Sequence, residues 1–190
     1  MISFYAYLSR MKHIKRWGLM RNTEIENIKE HSLDVAVIAH ALALIGNTYF
    51  GKNHNAEHIM ALAVYHETGE VITGDLATPI KYFNPEIKHA FGQIETLAEE
   101  KMLSMLPEEL REQYRPVVQH ENDPQYYLVK AADKICAYIK CIEEMKSGNK
   151  EFEKAKLNIE KNLAEYEDPE IRYFLEHCSP AYELTLDELN

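Results

Sequence analysis

Three cysteines are all that the 190 residues contain, Cys136, Cys141 and Cys178, and no two stand in a Cys-x-x-Cys spacing. An odd number without that spacing excludes a disulfide framework and a thiolate zinc site, and leaves free thiols. Glycine and proline are scarce too, seven of each, scattered along the length. A fold of many short strands needs more turn residues than that, whereas Ala, Leu, Glu, Lys and Met recur in long stretches that favour helix. There is no run of about 18 apolar residues to span a bilayer. The N-terminal Met1-Ile2-Ser3-Phe4-Tyr5 lacks a basic region followed by an apolar core and a cleavage site. A cytoplasmic protein without a membrane partner is expected. Positive charge is the last scarcity: 21 Lys and Arg stand against 31 Asp and Glu, a net charge of −10. Polyphosphate chains are held by clustered cations, so this deficit argues against a nucleic-acid polymer as partner. A small anionic ligand needs only a local cation or a metal, and the segment from Arg10 to Trp17 is the densest in positive charge.

What is present is ample material for a core, with 46% hydrophobic residues and no internal repeat or Gly/Ser/Pro-rich linker. Apolar spacing predicts helices over about residues 4–14, 30–45, 56–70, 85–106, 107–118, 124–147, 151–165 and 169–176. The second carries Leu33, Val37, Ala41 and Leu44 as one stripe and is expected to stop at Gly46-Asn47. Gly74 and Pro79 punctuate a loop over residues 73–79. The expectation is all-α: a single compact helical bundle formed by residues 1–190.

The chemically loaded stretch is Tyr65-His66-Glu67-Thr68-Gly69-Glu70, followed by Thr73-Gly74-Asp75. His31, His66, Glu67 and Asp133 are two imidazoles and two carboxylates from three predicted helices. Mixed nitrogen and oxygen donors suit a first-row divalent ion such as Mn, Co, Fe, Ni or Zn better than Ca or Mg. Spacing alone makes a weak case, because nine His and 31 acidic residues yield many accidental sets.

The order His31, His66-Glu67, Asp133 resembles the H…HD…D signature of the HD-domain metal-dependent phosphohydrolases. Four stretches narrow the resemblance to the bacterial 5′-deoxynucleotidases: residues 16–22 (RWGLMRN), 30–33 (EHSL), 70–83 (EVITGDLATPIKYF) and 130–133 (KAAD). The similarity extends through the terminal residues 179–188 (SPAYELTLDE). It implies an HD-domain bundle in which His31, His66, Glu67 and Asp133 hold one divalent transition metal, Co, Mn, Zn or similar. It also implies Glu70 as catalytic carboxylate and Arg16 as the group orienting the phosphate. Trp17 would help exclude a ribose 2′-hydroxyl, and Asp75, Leu76, Ala77 and Thr78 would form the substrate loop, with Glu67 and Asp133 also facing the substrate. The implied reaction is hydrolysis of a 2′-deoxyribonucleoside 5′-monophosphate by a homodimer.

Two positions depart from the pattern. Glu67 stands where the family normally has Asp, and the extra methylene can move the ion, change the preferred metal or permit bidentate binding. Ala77 replaces a residue that is often Pro. Lys81 follows the loop as an exposed cation, and His13, His40, His54, His58, His89, His120 and His177 match no ligand position. At this level two alternatives stay open: an HD-type deoxynucleoside triphosphate hydrolase, and a non-catalytic nucleotide-binding protein whose metal site Glu67 has weakened.

Overall fold

The structure, a computed structural model, describes residues 1–81 and 83–189. The side chains of Thr78 and Lys81 lie outside the described residues.

The chain begins with α1 (Phe4–Leu8), which tightens into a 3₁₀ turn over Ser9–His13. A segment without helix then carries the chain to α2 (Ile28–Phe50), the central helix of the bundle. Asn27 caps its start, its side chain accepting from the Lys29 and Glu30 amides, and Gly51 ends it at a φ of 64°. The expected stop at Gly46-Asn47 does not occur. Asn47 instead exchanges two hydrogen bonds with the backbone of His54, 2.9 and 2.7 Å long. A Cβ on Gly46 would lie 2.9 Å from the His54 ring, so glycine here makes room for the returning chain.

The chain then turns back into α3 (Ala56–Tyr65), which packs on α2, and after a tight turn forms the short α4 (Glu70–Thr73) and α5 (Thr78–Lys81). Then come α6 (Pro85–Leu103), α7 (Glu108–Val118), α8 (Tyr126–Lys146), α9 (Glu153–Leu163) and α10 (Pro169–His177). The chain is all-α as expected, and among the described residues the one β-type pairing is an isolated antiparallel bridge, Lys15 to Asn27.

α2 packs on α3, α8 and α10. To the main core it contributes Val35, Ala36, Ile38, Ala39, Leu42 and Ala43, in one cluster with Ile59, Leu62, Leu128 and Ile135 from its neighbours. Three of the four residues of the stripe expected from spacing face outward, Leu33 at 63% exposed, Val37 at 60% and Leu44 at 45%, while Ala41 is half-buried against the core. α2 is apolar on both sides, long and apolar enough by composition to cross a membrane, so periodicity does not choose its buried face. The neighbouring helices choose it. A smaller cluster of Phe4, Met102, Leu103, Leu106 and Val118 ties α1 to α6 and α7.

The segment between residues 14 and 27 lacks helical hydrogen bonds of its own and is pinned from α8. Glu144, 1% exposed, accepts from the Thr23 amide and hydroxyl, from Asn149 and from Lys140. Although burial pushes the other way, those donors pull the Glu144 carboxyl down to about 2. A charged carboxylate thus anchors the segment that carries Arg16, Trp17 and Glu26 over the bundle.

Candidate active site

α2 presents His31 one turn from its start, α8 presents Asp133, and His66 closes α3 as its C-cap. One ligand atom from each of these three residues lies within 4.8 Å of the others. The ring of His66 is set locally: Nδ1 lies 2.6 Å from the Ala63 carbonyl and so carries a proton, which turns Nε2 toward the cluster. His31 Nδ1 lies 3.3 Å from Glu26 Oε1, and its Nε2 lies 2.9 Å from Asp133 Oδ1. Both His31 nitrogens and His66 Nε2 are buried without a hydrogen-bond partner among the described residues. Buried imidazole nitrogens converging with a carboxylate fit a divalent transition metal.

Glu67 stands apart from that trio. Its Oε1 is 3.3 Å from His66 Nε2 and 3.6 Å from Arg16 Nη1, and it is absent from the mutually close group. Three expected ligands are brought together, and the fourth sits at their edge.

The continuous helix expected through residues 66–70 is interrupted. Hydrogen bonds from Thr68 N to Tyr65 O, Glu70 N to Glu67 O and Ile72 N to Gly69 O, 3.0 to 3.1 Å long, make a turn tighter than an α-helix. Residues three apart eclipse in such a turn, which brings the Glu67 and Glu70 carboxyls together. Burial first and the charge of Glu67 second push the Glu70 carboxyl far above the usual carboxylate range. Burial would raise Glu67 as well, but His66, a hydrogen bond from Glu70 and Arg16 hold it well below. The buried pair therefore favours sharing a single proton.

Arg16 sits among carboxylates, with its Nη2 3.7 Å from Asp133 Oδ1 and its Nε 3.4 Å from Glu26 Oε2. Burial opposes its charge, yet Asp133, Glu67, Glu26 and Asp75 raise its pKa. So much negative charge around one guanidinium repels a phosphate dianion unless a divalent cation joins it, a second reason that the residues fit a metal.

Trp17 is the one non-glycine among the described residues with a positive φ, 57°. That conformation costs an L-residue roughly 1–2 kcal/mol and recurs where surroundings hold a functional side chain in place. Here the indole Nε1 donates to Glu26 Oε2 at 2.9 Å, the ring lies 5.2 Å from Phe152, and the Met20 amide donates to the Trp17 carbonyl.

Asp75 reaches the site through its charge on Arg16 and Glu70. Leu76 and Ala77 are half-buried on the stretch that follows, and Thr78 opens α5 with its side chain outside the described residues. Of the histidines that match no ligand position, His54 pairs with buried Glu170, His58 with Asp123, and buried His120 lies on the Tyr126 ring. Sequence reasoning missed Glu26. It belongs to no quoted stretch, and its only local signal is its place before the Asn27 cap.

The model of the 5′-deoxynucleotidase YfbR-like family matches residues 3–182. A 5′-deoxynucleotidase of Vibrio vulnificus is 53% identical over 189 residues, covering 98% of this chain and 97% of the relative. One from Yersinia pestis is 50% identical over 196 residues, covering 100% and 98%. Among solved structures, an HD-domain phosphohydrolase from Listeria innocua superposes with a TM-score of 0.83 at 22% identity, covering 95% of this chain and 88% of that one. The cyanophage S-2L HD phosphohydrolase, bound to dA and one catalytic Zn²⁺ ion, superposes at 0.63 with 20% identity, covering 92% and 95%. At those identities the two structures speak for the fold. The sequence matches go further, and on them the chain belongs to the YfbR-like 5′-deoxynucleotidase family.

Proposed function

We propose that this protein is a metal-dependent 5′-deoxynucleotidase that hydrolyses 2′-deoxyribonucleoside 5′-monophosphates to deoxyribonucleosides and inorganic phosphate, with residues 1–190 acting as one HD-type unit. The observation that carries the reading is Arg16 set between Glu67 and Asp133, 3.6 and 3.7 Å away, beside the His31, His66 and Asp133 cluster. His31, His66 and Asp133, with Glu67 as fourth, would hold a divalent transition metal, which would supply a Lewis acid that acidifies water and offsets phosphate charge, and whose own charge would favour loss of the proton on Glu70. Arg16 binds phosphate oxygens through its forked N–H groups and aligns the phosphorus for in-line attack. Glu70 positions the attacking water and takes its proton. The water oxygen bonds to phosphorus, the bond from phosphorus to the 5′ oxygen breaks, and the proton passes to that leaving oxygen. Trp17 packs on the sugar and leaves no room for a 2′-hydroxyl. Asp75, Leu76, Ala77 and Thr78 line the substrate's side of the site, facing Glu67 and Asp133.

The decisive experiment is a panel of deoxy and ribo 5′-monophosphates, with dATP added, assayed with Co, Mn, Mg and Zn. Phosphate release from deoxynucleoside monophosphates, strongly favoured over ribonucleotides, is expected. Equal rates on both sugars would remove the Trp17 role. Triphosphate released from dATP, with dAMP untouched, would replace this reading by a triphosphate hydrolase.

The net charge of −10 supports a small anionic substrate over a polyanion, with the cytoplasmic nucleotide pool as the natural setting. A homodimer completes the reading, supported by Leu33, Val37 and Leu44 exposed along one side of α2. Sedimentation equilibrium should return twice the chain mass, and the double variant Leu33→Glu, Val37→Glu should return the monomer. A monomeric wild type would remove the dimer.

A further inference from the structure

One carboxylate outside the expected site touches three of its working groups. Glu26 Oε2 accepts from the Trp17 indole at 2.9 Å and lies 3.4 Å from Arg16 Nε, while Oε1 lies 3.3 Å from His31 Nδ1. Its side chain is 15% exposed, and its own carbonyl accepts from the Arg16 amide at 3.0 Å beside the Lys15 to Asn27 bridge. Backbone pairing thus fixes Glu26 opposite Arg16, and the α2 cap that follows fixes it against His31. An ionised carboxylate has about four acceptor sites and no donor, so one side chain hydrogen-bonds the Trp17 indole while standing within ion-pair distance of Arg16 and His31.

We propose that Glu26 is a positioning residue that sets the metal ligand and the sugar-reading side chain from a single carboxylate. This rests on the roles proposed above for His31, Arg16 and Trp17. Toward His31, it holds the proton on Nδ1 and so keeps the Nε2 lone pair free and basic for a metal, the arrangement by which a carboxylate orients a ligating imidazole. Toward Trp17, it anchors the indole whose backbone is held at a positive φ. Toward Arg16, it steadies Nε and leaves the Nη atoms for phosphate.

Glutamine separates these duties. Its single oxygen would face the two obligate donors, Arg16 Nε and Trp17 Nε1, which cannot act as acceptors. Its NH₂ would then face His31 Nδ1 and drive the proton to Nε2, blocking that nitrogen as a ligand. Alanine removes every contact.

The test uses full-length protein stripped of metal. It measures Co²⁺ affinity by titration, emission of Trp17, which is the only tryptophan in the chain, and the ratio of kcat/KM for dAMP over AMP. Glu26→Ala is expected to lose about 10- to 100-fold in Co²⁺ affinity, to red-shift the emission and to lower the ratio. Glu26→Gln is expected to lose similar affinity while emission and ratio stay close to wild type. Thermal melts identify a variant that fails to fold, and the isosteric glutamine then decides the question. Wild-type Co²⁺ affinity in Glu26→Gln overturns the proposal. If wild-type protein itself shows no deoxynucleotidase activity, the functional reading fails, while the Co²⁺ titration and the emission still judge Glu26.

Discussion

Glu70→Ala and Glu70→Gln are both expected to lower kcat on dAMP by about a thousandfold, within the range of roughly 10²–10⁴ for losing a positioned acid–base group. Dissociation constants for metal and for dAMP should stay within a few-fold of wild type, because Glu70 is outside the three-residue ligand group. Stability should hold or rise. Glu70 is 8% exposed, with one carboxyl oxygen lacking a hydrogen-bond partner among the described residues, and its carboxyl sits against the ionised Glu67. Removing the buried oxygen that lacks a partner relieves a desolvation cost, which in the alanine variant offsets the lost hydrogen bond to Glu67. Glutamine matters because its amide can still donate to Glu67, keeping the local hydrogen bond while denying a proton acceptor. Steady-state kinetics, metal titration and a thermal melt read the three expectations separately. Wild-type turnover in Glu70→Gln would take Glu70 out of the mechanism, and a loss confined to KM would make it a binding residue.

The second large effect concerns the metal and the longer arm of Glu67. Chelation and dialysis should bring turnover to background, and adding back Co, Mn or Zn should restore it. Wild-type protein should then contain one ion per chain by elemental analysis. Because Glu67 lies at the edge of the ligand group, 3.3 Å from His66 Nε2, Glu67→Asp is expected to change which metal supports the highest rate while leaving the requirement intact. The shorter side chain also withdraws from Arg16, now 3.6 Å away, so KM for the nucleotide should change with it. Wild-type protein that is metal-free and inactive, and is repaired by Glu67→Asp, would mean that the site has lost its function in this chain. Full activity after complete chelation would remove the metal from the reaction.

The ligand letters were readable because each lies in a short stretch whose neighbours are local. His66, Glu67 and Glu70 fall within five consecutive positions, and His31 and Asp133 lie within the short EHSL and KAAD stretches that carry the resemblance. Glu26 was not readable. Its partners Arg16, Trp17 and His31 come from both sides of a segment with no periodicity, fixed by Glu144 more than a hundred residues away. Gly46 failed as a stop signal for a related reason: the returning His54 needs the missing Cβ, a demand that no local propensity expresses.

By itself the sequence determined the helical class and the order of the main helices, because propensity and capping act over a few neighbouring residues, and through the resemblance it pointed to His31, His66, Glu67, Asp133 and Arg16 as candidates. Tertiary structure alone decided which side of α2 is buried, how tightly residues 66–70 turn, that Glu67 stands beside the other three ligands, and that Glu26 joins His31, Arg16 and Trp17. Those outcomes depend on which distant surfaces meet. A helix apolar on both sides, or a carboxylate with three possible donors, carries no local term that selects among its partners until the rest of the chain has packed around it.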